Sequence, residues 1–322
     1  MPLKSWTRRD LVQLAATGGA LLAGGVAEPD PSAAQEVTFA KSPPFVFALN
    51  TSTISGSKPT IVEAMRIAGR AGFDGIEPWI RELDAHVGAG GSLDDLRKRA
   101  GDLNLKVVDA IGFFEWAVDD PARRAKALEE ARRNMDQVAR IGGARIAAPP
   151  FGATDAAGPK LDPARLAERY RALLDLGRTM GVTPLVEIWG FSKNITTLAE
   201  AAAVAIGADH PDAAILADVY HLGKGGSGVA GLGLLAPGAV PVLHINDYPA
   251  RPRETLSDAD RVYPGDGAAP LAQILRALHH PEAPTTLSLE LFNRDYWKLD
   301  PATVAATGLS KVRAAVAAAL AG

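Results

Sequence analysis

A closed (β/α)₈ barrel is the fold class the sequence predicts, and three observations predict it. From residue 45 onward, apolar runs of strand length alternate with segments of helical period, which specifies parallel βαβ units. Eight such units fit into residues 35–322, close to the roughly 250 residues of an ordinary single barrel. Ionisable residues end several of the apolar runs, on the face where barrels assemble their active sites. An open doubly wound sheet is the competing arrangement, but no G-x-G-x-x-G follows the first strand to mark its nucleotide crevice.

Taken in order, FVFALN (45–50) is the first strand. Thr60 and Glu63 have the spacing of a capping box for a helix over 60–71, which Gly72 stops. FDGIEP (73–78) is the second strand, ending at Glu77; Ser92 starts the next helix, and LKVVDAIG (105–112) is the third strand. Asp120-Pro121, Asp162-Pro163 and Asp300-Pro301 each pair an N-cap with a proline in the first turn, where its missing N–H is harmless. ARIAAP (144–149) separates the first two of these helices. The second spans 163–180, with Leu166, Tyr170, Leu173, Leu174 and Gly177 on one face and Gly181 at its end.

The ligand-bearing strands follow. TPLVEI carries Glu187; a helix over 197–206 leads to AAILAD, which ends on Asp218. A glycine-rich loop (223–233) and a short helix precede VPVLHIN, which delivers His244. The long loop at 247–267 is dense in charge, proline and glycine, and loops of this kind are usually functional. A helix over 269–279, the strand TTLSLEL with Glu290, and a closing helix over 301–320 complete eight strands and eight helices.

Composition narrows the chemistry. The 322 residues are 47% hydrophobic, with a formal net charge of -3 and no cysteine. Disulfides, thiolate catalysis and cysteine zinc sites are excluded, and a mildly acidic body argues against a nucleic-acid footprint. Residues 1–34 resemble a cleavable twin-arginine export signal: Arg8-Arg9 precede an apolar stretch and small residues, with cleavage after Ala27 or Ala34. That stretch is shorter than the ~20 residues a spanning helix needs. The expectation is therefore a periplasmic protein, delivered by the twin-arginine machinery without stable membrane insertion, and open to homo-oligomerisation.

Glu187, Asp218, His244 and Glu290 converge by position on one barrel mouth. Oxygen-rich donors with one imidazole suit Mn²⁺, Mg²⁺ or Co²⁺, and Zn²⁺ can use them. Four ionisable groups so close would repel without a cation. The plainer alternative is that each caps a strand end or pairs with an arginine.

The order Glu187, Asp-x-x-His (Asp218 to His221), His-x-x-Asp (His244 to Asp247), Arg-x-x-Pro-Gly-Asp-Gly (Arg261 to Gly267) and Glu290 resembles the xylose isomerase-like barrel superfamily. The sugar phosphate isomerase/epimerase branch, with its ketose 3-epimerases and inosose-processing enzymes, is the most similar. The resemblance covers the mature chain and implies one divalent metal on Glu187, Asp218, His244 and Glu290, with Glu187 and Glu290 also acting as the acid/base pair. His221 is expected to hydrogen-bond a substrate oxygen or to prop the metal-ligating Asp218, Glu77 is similar to the strand-two acid that contacts sugar hydroxyls in this branch, and Arg261 and Asp266 either clamp and orient a substrate oxygen or pin their loop. Trp189, with Trp79, Phe113, Phe114, Trp116 and Phe191, lies just after strands two, three and five, where rings stack on a sugar face or pack under helices. For Glu77 an ion pair with Arg81 is the structural alternative. Ala250 stands where the ketose 3-epimerases carry an arginine, which argues against assignment to that subgroup. Three functions follow: a sugar or keto-sugar isomerase/epimerase working through an enediolate, a lyase or dehydratase using the same intermediate on an inosose or 3-keto-glycoside, and a non-catalytic sugar-binding barrel.

Overall fold

The computed structural model describes residues 45–321; the expected leader, 1–34, lies outside the described residues. Eight parallel strands form one sheet: β1 (Val46–Asn50), β2 (Gly75–Glu77), β3 (Lys106–Val107), β4 (Arg145–Ala148), β5 (Thr183–Glu187), β6 (Ile215–Asp218), β7 (Val242–Ile245) and β8 (Thr286–Leu289). Their order, β3-β2-β1-β8-β7-β6-β5-β4, is that of a barrel in which first and last strands are neighbours. No ladder joins β3 to β4 among the described residues. The ring is closed there by the Ala147 N–H donating to the Ala110 carbonyl at 2.9 Å.

Nine α-helices surround the strands among the described residues, one more than expected: α1 (Ile61–Ala71), α2 (Ile80–Gly88), α3 (Leu93–Asp102), α4 (Pro121–Arg140), α5 (Pro163–Met180), α6 (Leu198–Gly207), α7 (Val219–Lys224), α8 (Leu271–Ala277) and α9 (Pro301–Leu320). The extra one is α2. Its N-cap, Trp79, offers no capping side chain, so the entry signal is Glu82 accepting the Trp79 N–H at 3.1 Å. Local chemistry explains the others as read. The Thr60–Glu63 capping box is formed in both directions, the three Asp-Pro starts are N-caps, and Gly72 and Gly181 take φ of 87° and 67°, a region where a side chain is strained. The short helix expected after the glycine-rich loop instead precedes it as α7, capped by Asp218. The third strand is also shorter than expected, since its ladder ends after Val107.

Two apolar layers carry the fold. The larger one lies between strands and helices; α9, long and apolar enough by composition to span a membrane, instead contributes Val304, Leu309, Val312 and Val316 to it. A smaller layer of Trp79, Ile111, Ala147, Leu185, Leu216 and Val242 fills the barrel interior. Strand side chains alternate between faces. Glu187, Asp218 and His244 therefore stand one step above Leu185, Leu216 and Val242, on the same inward face, which lifts them into the mouth.

Candidate metal centre and active site

His244 organises the mouth. The imidazole is fully buried, with Nε2 3.0 Å from Glu77 Oε1 and Nδ1 without any hydrogen-bond partner. Around Nδ1 stand three carboxylates: Glu290 Oε2 at 3.1 Å, Asp218 Oδ2 at 3.6 Å and Glu187 Oε1 at 4.0 Å. Donating Nε2–H to a carboxylate fixes the tautomer that leaves Nδ1 for a metal. Asp218, His244 and Glu290 each offer an atom within 4.8 Å of the others, so this triad fits a divalent ion. Glu187, the fourth expected ligand, falls outside the triad and flanks it.

Each partner's second oxygen is already employed. Asp218 Oδ1 caps α7 by accepting the His221 N–H at 3.1 Å and accepts from Asn246 Nδ2, which turns Oδ2 to the centre. Glu290 Oε1 accepts from Asn50 Nδ2 at 3.2 Å. Arg261 Nη1 donates to Asp218 Oδ2 at 2.6 Å and Glu290 Oε2 at 2.9 Å, and Nη2 donates to Asp258 at 2.7 Å. Arg261 is 1% exposed, so these contacts come before any substrate contact.

The electrostatics favour a cation. Glu77, Asp109, Glu187, Asp218 and Glu290 are all buried, against one guanidinium and two imidazoles. Burial pushes the Glu187 carboxyl up to about 8, with His244 opposing. Burial also raises Glu290. Asp218 stays well below the usual carboxylate range although burial opposes it, because Arg261, His221 and His244 surround it. His244 is held well above the ordinary imidazole range despite burial, chiefly by Glu290 and Glu77. The same carboxylates that favour a proton on His244 would favour a divalent ion there. His221 is pushed down to about 4 by burial and stays neutral; its Nε2 lies 3.3 Å from Arg261 Nη2 and accepts from it.

Two expected contacts are corrected. Glu77, expected to meet sugar hydroxyls, is fully buried and spends its carboxylate on His244, Asn50 Nδ2 (2.8 Å) and Ser288 Oγ (2.6 Å). Its alternative partner Arg81 lies over the Trp79 ring instead, 3.8 Å from the centroid. Asp266, expected to orient the arginine, pairs with Lys311 on the outer surface; Asp258 orients Arg261. The loop is instead pinned by Asp247, whose carboxylate accepts from the N–H groups of Gly265, Gly267 and Ala269. A Cβ at Gly267 would lie 2.4 Å from Asp247 Oδ1, so only glycine fits that approach.

Asp109 and Asn50 went unread in the sequence. Both Asp109 oxygens are buried without a partner; burial, then the adjacent Glu77 charge, hold its carboxyl well above the usual range. It is buried beside Glu77, whose carboxylate faces the His244 imidazole. Asn50 ends β1 and ties Glu77, Glu290 and the Trp79 indole N–H together.

A cavity of about 340 Å³ opens above the centre, lined by Glu187, His221, Arg261 and Glu290 and by Trp79, Phe113, Trp189, Phe191, Phe292 and Trp297. Phe114 and Trp116 are buried in the core, away from it. A larger groove of about 560 Å³ between α1 and α9 holds Glu63, Arg66 and Arg70 but no buried acid, so chemistry selects the smaller space.

Comparison with known proteins agrees with this geometry. The profile described as xylose isomerase-like TIM barrel matches residues 65–315. An inosose isomerase of Halalkalibacterium halodurans is 27% identical over 128 residues, 39% of this chain and 45% of that protein. A 3-dehydroshikimate dehydratase of Pseudomonas putida is 24% identical over 264 residues, 81% of this chain and 40% of that protein. The chain thus spans about half the length of these curated relatives. A crystal structure of the IolI protein with a bound zinc atom superposes with a TM-score of 0.79 at 22% identity, covering 86% of this chain and all of the other.

Proposed function

Because the chain belongs to the xylose isomerase-like TIM barrel family, we propose that it is a divalent-metal-dependent isomerase or epimerase of a sugar or keto-sugar, inositol-like ketones included. The observation that carries this is the buried, unpartnered His244 Nδ1 facing three carboxylates. Asp218, His244 and Glu290 would hold the ion, with Glu187 beside them. A bound divalent ion supplies Lewis acidity, which acidifies the C–H next to a carbonyl.

The chain's own residues do the rest. Glu187 faces the cavity, and burial moves its proton affinity toward neutrality, which suits an acid/base group. Glu290 stands at the other side of His244 and takes the complementary role. One carboxylate removes the proton to give an enediolate. The other, protonated beforehand, delivers its own proton to the opposite face, which epimerises; delivery of a proton to the neighbouring carbon, with the hydroxyl proton passing between the two oxygens, isomerises. Neutral His221 faces the cavity and holds a substrate oxygen, Arg261 keeps Asp218 and Glu290 in place, and Trp189 stacks on the ring.

A second reading is a lyase or dehydratase. Similarity to a dehydratase over 81% of this chain supports it, and the same proton removal leads to elimination when a leaving group sits beta to the carbonyl. Incubation of metal-loaded protein in D₂O with ketoses, inososes and 3-keto-glucosides, followed by NMR, separates the two. Deuterium in a new epimer or isomer is the expected result; an unsaturated or cleaved product supports elimination. Metal-dependent binding of these compounds without exchange overturns both.

We further propose that the protein works in the periplasm, on the strength of Arg8-Arg9 and the apolar stretch after them. Fractionation of cells carrying the Arg8→Lys, Arg9→Lys chain tests this. Unchanged delivery to the periplasm would sink it.

A further inference from the structure

We infer that the substrate carries an aromatic aglycone on its sugar ring, an inference that rests on the keto-sugar reading above and names its substrate class. The observation is a run of rings that begins inside the cavity and continues out of it. Trp79 contacts Phe113 (centroids 5.5 Å apart), and Phe113 contacts both Phe151 (5.4 Å) and Trp189 (5.9 Å). Trp189 in turn contacts Phe191 at 5.2 Å. Loops after β2, β3, β4 and β5 each contribute, so four separate chain segments converge on one apolar shelf. One six-membered sugar ring covers about one such face; this shelf offers several.

The shelf's outer ends are the telling part. Phe151 is 39% and Phe191 48% exposed, and they are the two aromatic residues among the exposed large apolar side chains of the described residues. The others, including Ile206, Leu234 and Leu299, are scattered singly, as is normal on any surface. Both exposed phenylalanines, by contrast, join rings that line the catalytic cavity. Phe151 lies beyond the cavity wall, where a free monosaccharide at the metal centre would leave it uncovered.

Charge points the same way. Among the described residues, the cations lining the cavity are Arg261, committed to three carboxylates, and Arg294 at the exposed rim. A phosphate would find one exposed guanidinium. A neutral flat group finds Phe113, Phe151, Trp189 and Phe191, which aromatic stacking favours.

The test compares phenyl and methyl 3-keto-β-D-glucoside as substrates of the metal-loaded full chain, by solvent-proton exchange. Binding of unoxidised phenyl β-D-glucoside is followed alongside by tryptophan fluorescence. A kcat/KM for the phenyl compound at least about tenfold above the methyl one is expected. Phe151→Ala and Phe191→Ala should each raise KM for the phenyl compound by roughly tenfold, far more than for the methyl one, with kcat largely kept. Equal kcat/KM for both compounds overturns the aglycone while leaving the enzymatic reading intact. Phenyl-glucoside binding that both variants weaken, without exchange of either keto-glucoside, upholds the aromatic subsite and sinks the enzymatic reading. Neither binding nor exchange overturns both.

Discussion

The barrel mouth has two unlike halves. Strands β5 to β8 supply Glu187, Asp218, His244 and Glu290, braced by Arg261 from the long loop. The loops after β2 to β5 supply Trp79, Phe113, Phe151, Trp189 and Phe191, braced by ring contacts. In the first half the carboxylates are held by a hydrogen-bond network through Arg261, Asn246 and Asn50, which fixes their geometry, while His244 Nδ1 is left unpartnered among them. In the second, contacts are apolar, tilted and open to water. Position of charge decides a reaction, whereas shape and apolar area decide which molecule is held, so the halves separate chemistry from choice. Asn50 joins them, with its amide nitrogen on Glu77 and Glu290 and its oxygen on the Trp79 indole.

If the halves are separable, damage to one should spare the other. Glu290→Gln carries the largest expected effect: proton exchange falls by about 10²–10⁴-fold or more, while phenyl-glucoside binding by fluorescence persists. Full exchange in that variant would remove Glu290 from the reaction. His244→Ala comes next. It deletes the donor at the centre and should weaken divalent-ion affinity by on the order of 100-fold, read by calorimetry. Retained affinity would show that the carboxylates bind the ion without the imidazole.

Glu77→Gln and Asp109→Asn probe the support behind His244. Each is expected to lower metal affinity by roughly 10- to 100-fold, with the aromatic half unaffected. Native affinity in both would reduce the pair to packing. The mildest test is pH. Glu187 rises from the ordinary 4.5 to about 8, and Glu290 and His244 shift upward as well. An upward-shifted group contributes stability fully present below its unfolded pKa and lost as pH rises through its folded one. Asp218 and Glu77 shift downward and titrate below this window, while His221, lowered to about 4, works the other way between pH 5.5 and its ordinary 6.5, over a narrower span than Glu187. Metal-free protein should therefore melt at least about 2–4 °C lower at pH 8.5 than at pH 5.5, and a divalent ion should raise the melting temperature more at pH 8.5. Equal melting temperatures would mean that the buried acids are neutralised otherwise.

Much of this was legible in the sequence because parallel strands place their last inward residue at the mouth. Glu187, Asp218, His244 and Glu290 each end an apolar run, and the alternation of side chains does the rest. Asn50 ends its run in the same way, and the rule extends to it. Asp109 was hidden: LKVVDAIG reads as one continuous strand, whereas the ladder stops at Val107 and Asp109 beyond it is buried beside Glu77. Pairing across a barrel is not written in local spacing. Glu77 and Asp266 were misplaced for the same reason, since their partners, His244 and Lys311, lie far away along the chain. The Pro-Gly-Asp-Gly turn reads as a binding loop, but what it encodes is the backbone approach to Asp247.

The seam between β3 and β4 gives the two halves different evolutionary prospects. It is closed by one backbone hydrogen bond, Ala147 to Ala110, and the loops bearing Phe113 and Phe151 rise from its two sides. Insertions and ring substitutions there disturb no ladder and no ligand, and loops tolerate them well. β5 to β8, locked by register to one another and carrying the buried carboxylates and His244, have no such freedom. Changes at the seam can thus reshape the apolar rim of the cavity while the buried polar cluster on the far side keeps its geometry.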